Sequence, residues 1–329
     1  MHMADALVSP TVAASMYLAS GLVAAYSLKK VREENDAHKI PLMGIMGAFV
    51  FAAQMLNFTI PGTGSSGHLC GGLLLAALLG PYAAFLTMIG ILSIQCLLFA
   101  DGGLLALGAN IWNMGFYACF IGGLLIWKPL THNTLNKYSI VLASLLGSII
   151  SLQLGAFSVV LETTASGITE LPFAIFAAAM QGIHLAIGAV EGAIIASVLL
   201  FIYKARPQLL DSSSTATASV LSFKQVCAVL SATTAFFAGI LSLYASEHPD
   251  GLEWSIEKLT GSTELEAASS AHALAAQLQE WTALLPDYAF KSSESALGTV
   301  FSGLVGSLLV VLLCLACCYL LKFFKHDQA

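Results

Sequence analysis

Charged side chains are scarce in this chain. Asp, Glu, Lys and Arg make up only 10% of its 329 residues, whereas a soluble domain averages about a quarter. The net charge is −6, which leaves no basic surplus for a phosphate backbone and excludes a nucleic-acid binder. Proline is sparse at nine residues, so apolar runs continue with few breaks. Several catalytic signatures are also missing. The sequence contains no G-x-x-x-x-G-K-[ST] phosphate loop, no H-E-x-x-H and no G-x-S-x-G, so ATP hydrolysis by a Walker-type loop, a zinc-peptidase helix and a serine-hydrolase elbow have no sequence basis.

The sequence is instead rich in hydrophobic residues, at 57%, with a mean hydropathy of +0.83. A bilayer core about 30 Å thick needs about 20 apolar residues per helix. Runs of that kind recur near 9–28, 40–58, 69–80, 81–99, 104–127, 137–161, 172–203, 223–245 and 297–321. This pattern predicts an all-α, polytopic membrane bundle. The third and fourth runs divide at Gly80-Pro81, where proline cannot continue a helix cleanly. Lys29, Lys30, Arg32, Lys39, Lys128, Lys137, Lys204, Arg206, Lys224, Lys322 and Lys325 then share one side, leaving Lys258 and Lys291 on the other. Basic residues favour cytoplasmic loops, so the expected topology is N-terminus outside and C-terminus cytoplasmic, in a cell membrane. No basic leader precedes the first run, and Asp5 lies ahead of it, so no cleavable signal is expected.

Composition divides the chain into an N-terminal membrane domain, 1–203, a linker, 204–222, and a C-terminal hairpin, 223–329. The linker holds the polar stretch Asp211-Ser212-Ser213-Ser214-Thr215. The hairpin encloses an external polar segment, 246–295, that reads as a small helical cap. In it, Asp250-Gly251-Leu252-Glu253 has capping-box spacing, with Asp250 at the N-cap and Glu253 at N3, and a second helix is expected over 264–285. The seven cysteines read as packing residues. The terminal cluster Cys314, Cys317 and Cys318 has no assigned role.

The start Met1-His2-Met3-Ala4-Asp5 carries the strongest chemical signal. Methionine is retained before a residue as large as histidine, so Met1 is expected to keep a free α-amine. The amine of Met1, the amide of His2 and Nδ1 of His2 can close fused five- and six-membered rings around one ion. That planar arrangement suits nickel(II) or copper(II), and binding displaces protons. His68, in Gly64-Ser65-Ser66-Gly67-His68-Leu69, is expected on the same side of the membrane and could supply a fourth nitrogen.

Other intramembrane polar groups are candidates to orient the ligands or gate the site. Gln181, His184 and Glu191 share a face of the helix over 172–203, although Gly188-x-x-x-Gly192 on the same helix also suits plain packing. Asn110 and Asn113 could bond an inserted N-terminal segment. Gly44, Ala48 and Ala52 form a small-residue ridge fit for internal packing or for docking another subunit. A different reading makes His68, His184 and Glu191 the ligands of a catalytic ion in a membrane-embedded metalloenzyme, and a third is a metal sensor that transports nothing.

The chain resembles the CbiM/NikM family, the substrate-capture components of energy-coupling factor cobalt and nickel transporters. The resemblance lies in Met1 to Leu7, in Phe51-Ala52-Ala53-Gln54-Met55-Leu56-Asn57-Phe58, in Gly67-His68-Leu69-Cys70-Gly71-Gly72, in Gly108-Ala109-Asn110 through Asn113-Met114-Gly115, and in His184 with Glu191-Gly192. The hairpin, with Pro249-Asp250-Gly251-Leu252-Glu253, resembles the CbiN/NikN-type or PDGLE module fused to some members. The resemblance implies a seven-helix capture domain plus a two-helix hairpin. It implies a nickel or cobalt ion, carried as substrate with no permanent cofactor, held by the Met1 amine, the His2 amide and ring, and His68. It further implies a non-enzymatic component in membrane lipid, partnered by a transmembrane coupling protein and cytoplasmic ATPase subunits, with Gly44, Ala48 and Ala52 as the docking ridge. One departure is local. The family start often reads His-Ile-Pro, whereas this chain has His2-Met3-Ala4.

Overall fold

The structure, a computed structural model, describes residues 1–34, 39–132, 134–210, 220–263, 265–266, 269–291 and 295–326, with backbone only at 40 and 318–326. The linker stretch Asp211 to Thr215 and the side chain of Cys318 lie outside the described residues.

Eleven helices carry the fold: α1 (Pro10–Glu34), α2 (Lys39–Gln54), α3 (Gly72–Leu79), α4 (Pro81–Phe99), α5 (Leu107–Thr131), α6 (Lys137–Ser166), α7 (Phe173–Ala205), α8 (Phe223–Gly239), α9 (Gly251–Thr260), α10 (Ser270–Thr282) and α11 (Ala296–His326). Six of them are long and apolar enough to cross a membrane: α1, α4, α5, α6, α7 and α11. The protein is therefore a multi-pass membrane protein. Three of the nine expected spans are shorter than 18 residues. α2 offers only Pro41–Gln54 as its apolar stretch, α8 has 17 residues and α3 has eight. At 1.5 Å per residue α3 reaches about 12 Å, well under a bilayer core. It is wholly buried in the bundle.

Local chemistry sets these boundaries. α3 stops at Gly80, in a positive-φ conformation (φ 78°), and Pro81 opens α4 at its first turn, where a missing N–H costs nothing. α6 begins with Asn136 accepting from the Tyr138 and Ser139 amides, and α8 begins with Ser222 and Gln225 in a reciprocal box. The second apolar run is expected to reach residue 58, but α2 ends at Gln54 because Phe58–Ile60 pairs antiparallel with Ser65–Gly67 as β1 and β2. Gly62 (φ 78°) and Gly64 (φ 77°) make the turn between them, a conformation that a side chain would strain.

One hydrophobic core runs through the bundle, from Met3 and Leu7 through Phe51, Phe85, Phe99 and Phe176. α8 and α11 pack on α2. Met1, His68, Asp101, Asp250 and Tyr288 gather at one end of the bundle, whereas the Lys39 ammonium lies beside Gly80 at the other.

Candidate metal-capture site

The N-terminal segment enters the bundle as a plug. Met3 is fully buried, and its main chain is clamped by one side chain. The Met3 amide donates to Asn110 Oδ1 (2.7 Å), and Asn110 Nδ2 donates to the Met3 carbonyl (3.1 Å). The Gly103 amide gives that carbonyl a second bond at 2.9 Å. Asn113 donates to Glu162 Oε2 (2.8 Å) and lies 3.5 Å from Met3 Sδ. Two residues on, the chain turns as a short 3-10 helix over Asp5–Leu7, and Asp5 Oδ1 accepts the Ala106 amide at 3.0 Å. Gly103 must stay bare here, since a Cβ would lie 1.9 Å from Asp5 Oδ1. Burial raises the Asp5 carboxyl above its ordinary value, against the hydrogen bonds that lower it.

This plug delivers the amine of Met1 to the loop histidine. The Met1 ammonium donates to His68 Nε2 at 2.9 Å across 67 residues of sequence, and it also donates to Asp250 Oδ2. His68 Nδ1 faces the Leu69 carbonyl (3.2 Å). A ring that donates from Nδ1 keeps Nε2 as a lone pair. Burial first, and then the neighbouring ammonium, hold His68 well below its ordinary value of 6.5, so it is neutral and ready to ligate.

His2 stacks on His68, with ring centroids 5.3 Å apart and planes at 19°. Its Nε2 lies 3.3 Å from Gln95 Oε1. Gln95 Nε2 donates to Gln54 Oε1 (2.8 Å), and Gln54 Nε2 donates to the Cys70 carbonyl (2.7 Å). This amide relay presents an acceptor oxygen to Nε2 of His2, so that nitrogen is placed to donate. Here Nδ1 points to Asp101 Oδ1 at 3.1 Å. Burial lowers the pKa of His2 against the raising pull of Asp101. Asp101 follows Ala100, a non-glycine residue at φ 54°, and accepts from the Tyr288 hydroxyl at 2.5 Å. The structure thus brings Met1 and His68 together but turns Nδ1 of His2 toward a carboxylate.

The remaining candidates fall into different roles. Glu191 Oε1 accepts the Gly71 amide at 3.0 Å, just past His68. His184 Nδ1 donates to the Met180 carbonyl (2.7 Å), and its Nε2 is buried with no partner among the described residues. Gln181 takes no part in the site. It exchanges amide-to-carbonyl bonds with Gln153 (2.9 and 3.0 Å), tying α6 to α7. Among the described residues no three His, Cys, Asp or Glu side chains are placed to hold an ion, which corrects the expectation of a catalytic His68, His184 and Glu191 centre. Of the two readings of the small-residue ridge, the structure shows internal packing. Ala48 and Ala52 are buried, and Gly44 lies against Val311 of α11, the chain's own terminal helix.

Sequence reasoning missed the acidic and amide groups around the Met1 amine and the two imidazoles. Gln54 and Gln95 stand as lone amides in apolar runs, a signal that could have been read. Asp250 was read only as a helix cap, and it is one, accepting the Leu252 and Glu253 amides (2.8 and 3.0 Å) through Oδ1. Burial pushes its carboxyl up, but the Met1 ammonium and His68 outweigh this and hold it below the ordinary range. A vestibule of about 700 Å³ opens beside His2 and His68, with Asp5, Asp101, Glu253 and Asp287 in its wall.

Comparison with known proteins gives the chain a family. Residues 2–209 match the family model described as the cobalt uptake substrate-specific transmembrane region, and residues 224–323 match the PDGLE domain. An Archaeoglobus fulgidus chain described as a fused nickel transport protein is 33% identical over 95% of this chain and 96% of its own length. The fused nickel transport protein of Rhodobacter capsulatus is 29% identical over 94% of this chain and 95% of its own. A crystal structure of a truncated transition metal transporter superposes with a TM-score of 0.54 at 34% identity, covering 61% of this chain and 98% of that one.

Proposed function

Because this chain belongs to the CbiM family of cobalt uptake transmembrane proteins, we propose that it captures nickel(II) or cobalt(II) from outside the cell as the substrate-binding component of an energy-coupling factor transporter. The observation that carries the reading is the 2.9 Å approach of the Met1 amine to His68 Nε2. Adjacent in-plane nitrogens around a small divalent ion stand at about such a separation, given metal–nitrogen bonds near 2 Å. The Met1 amine, the His2 amide, Nδ1 of His2 and Nε2 of His68 form the donor set, with Gln95 and the Leu69 carbonyl holding the two rings in the ligating tautomer. Loading requires the His2 ring to exchange Asp101 for the ion.

The clamp of Asn110 on Met3 fixes the plug by its main chain, so the reading depends on backbone position rather than on the identity of the third side chain. The ion reaches the site through the acidic vestibule. The distribution of basic residues supports a plasma-membrane orientation with the capture end outside. Since no phosphate loop occurs in the sequence, the energy for release is assigned to a transmembrane coupling protein and cytoplasmic ATPases. The affinity is expected to be high, because the four donors come from a clamped plug and a packed loop.

The test compares the full chain with its native start against a chain carrying one extra residue before Met1, both equilibrated with nickel(II) and analysed for bound metal. Capture by the native chain and its loss on extension support the reading. Equal binding by both refutes it.

A further inference from the structure

We infer that Asp250, supplied by the C-terminal module, is the counter-ion of the capture site in both its empty and its loaded form. This rests on the reading of Met1, His2 and His68 as the donor set. In the empty site the buried charge is the Met1 ammonium, +1. In the loaded site a divalent ion, a neutral amine, two neutral imidazoles and one deprotonated amide again sum to +1, and the two displaced protons leave to water. A buried charge needs a partner in either state, and a single fixed carboxylate balances both.

Asp250 is built for this position. Its Oδ2 contacts the Met1 ammonium and lies 3.9 Å from His68 Nε2, with 13% of the side chain exposed. The other oxygen is committed to the α9 amides, so the carboxylate cannot swing away without uncapping a helix. The turn that carries it is stitched to β2. Ser66 donates from its amide to the Pro249 carbonyl (2.8 Å) and from its hydroxyl to the His248 carbonyl (2.7 Å), two residues before His68. Gly251 lets this turn seat fully, since a Cβ there would lie 2.9 Å from His184 Cε1 and 2.8 Å from Ile187 Cδ1.

His184 provides an independent pointer to a ligand at this spot. Its Nε2, on a side chain only 1% exposed, has no partner among the described residues. It lines a void of about 20 Å³ together with Met1, His68, Asp250 and Gly251. That space is large enough for one water. The polar site therefore extends past the Met1 amine toward Asp250 and His184.

The experiment uses the full chain with its native start, nickel(II) chloride as probe, competition against a chelator for affinity, and the visible absorption band of the bound ion. Asp250→Asn and Asp250→Ser both keep an oxygen able to cap α9, so either variant that folds reports on charge. Each is expected to weaken nickel binding about 10–100-fold, as loss of a partner group around a metal site does. The absorption band should stay in place, and Glu257→Gln, elsewhere on α9, should bind as the unsubstituted chain does. Undiminished affinity in the Asp250 variants, while the extended chain binds nothing, overturns the counter-ion role and leaves the donor set standing. A shifted band makes Asp250 a ligand and also overturns it. Nickel binding by the extended chain would instead refute the donor set itself.

Discussion

At the capture end the two modules meet through hydrogen bonds and charge, whereas along α2 they meet through close apolar packing. The polar junction includes Asp250 on Met1, Trp254 Nε1 donating to the Thr63 carbonyl (3.0 Å) and Gln279 Nε2 donating to the Gly102 carbonyl (2.8 Å). His272 Nε2 sits 3.1 Å from both the Asp5 and the Val8 carbonyls. Along the apolar seam, Gly44 and Gly47 lie against Val311 and Val310, and Phe51 covers Gly306 so closely that a Cβ there would lie 2.1 Å from the ring. Phe49 and Phe237 add a ring contact at 5.4 Å. Packing of that kind sets how well the modules hold together. The polar junction is expected to set what the plug can bind, because Asp250 and His272 bond the plug itself, and Trp254 and Gln279 bond the loops beside it.

That division can be broken experimentally, and the largest effect belongs to a ligand. His68→Ala removes the nitrogen facing Met1 and is expected to lower nickel affinity by more than the roughly hundredfold typical of an outer partner. Competition dialysis reads it, and retained affinity would separate the loop from the site. Next comes the clamp. Asn110→Leu strands the buried amide of Met3, whose carbonyl keeps its bond from Gly103, at about 1–3 kcal/mol for the group left unsatisfied. Both the unfolding temperature and the nickel content of purified protein should fall, and a loss of one without the other would show that the plug and the bundle are not coupled.

The seam should behave differently. Gly306→Val forces the buried Phe51 ring to move, with an expected cost of about 1–3 kcal/mol. Thermal unfolding should detect this, while nickel bound per folded molecule stays unchanged. A fall in affinity would mean that the seam and the polar junction act as one unit.

The smallest effect expected is that of pH on metal-free stability. Burial places His2 and His68 below 6.5 in the folded chain, so the unfolded chain takes up protons first as pH falls. Stability is therefore flat above about pH 6.5 and declines below it. Asp250 acts in a lower window. Its folded value lies below the ordinary 3.8, so its contribution is complete above that value and is lost only on further acidification. Unfolding measured between pH 8 and 5 should show the first decline without the second.

Much of the bundle was legible because membrane helices obey a length rule and Gly80-Pro81 obeys a steric one. Met1 and His2 stood out in the sequence because chelate ring size is a property of local chain chemistry, and the structure brings the Met1 amine to His68. Asp250 was legible only as a cap, since nothing in a period of 3.6 residues announces a partner 249 positions away. The ridge of Gly44, Ala48 and Ala52 showed that a helix could pack there, but not that α11 of the same chain would take the place. The β-hairpin escaped notice because its strands are three residues each, too short for an alternating pattern.

X-ray absorption on the nickel-loaded full chain with its native start tests the central claim most directly, because it reports the atoms around the ion. Four nitrogen donors in a square plane, lost when one residue is added before Met1, is the predicted result. An octahedral shell dominated by oxygen, or any sulfur donor, would contradict a site built from the beginning of the main chain and two imidazoles.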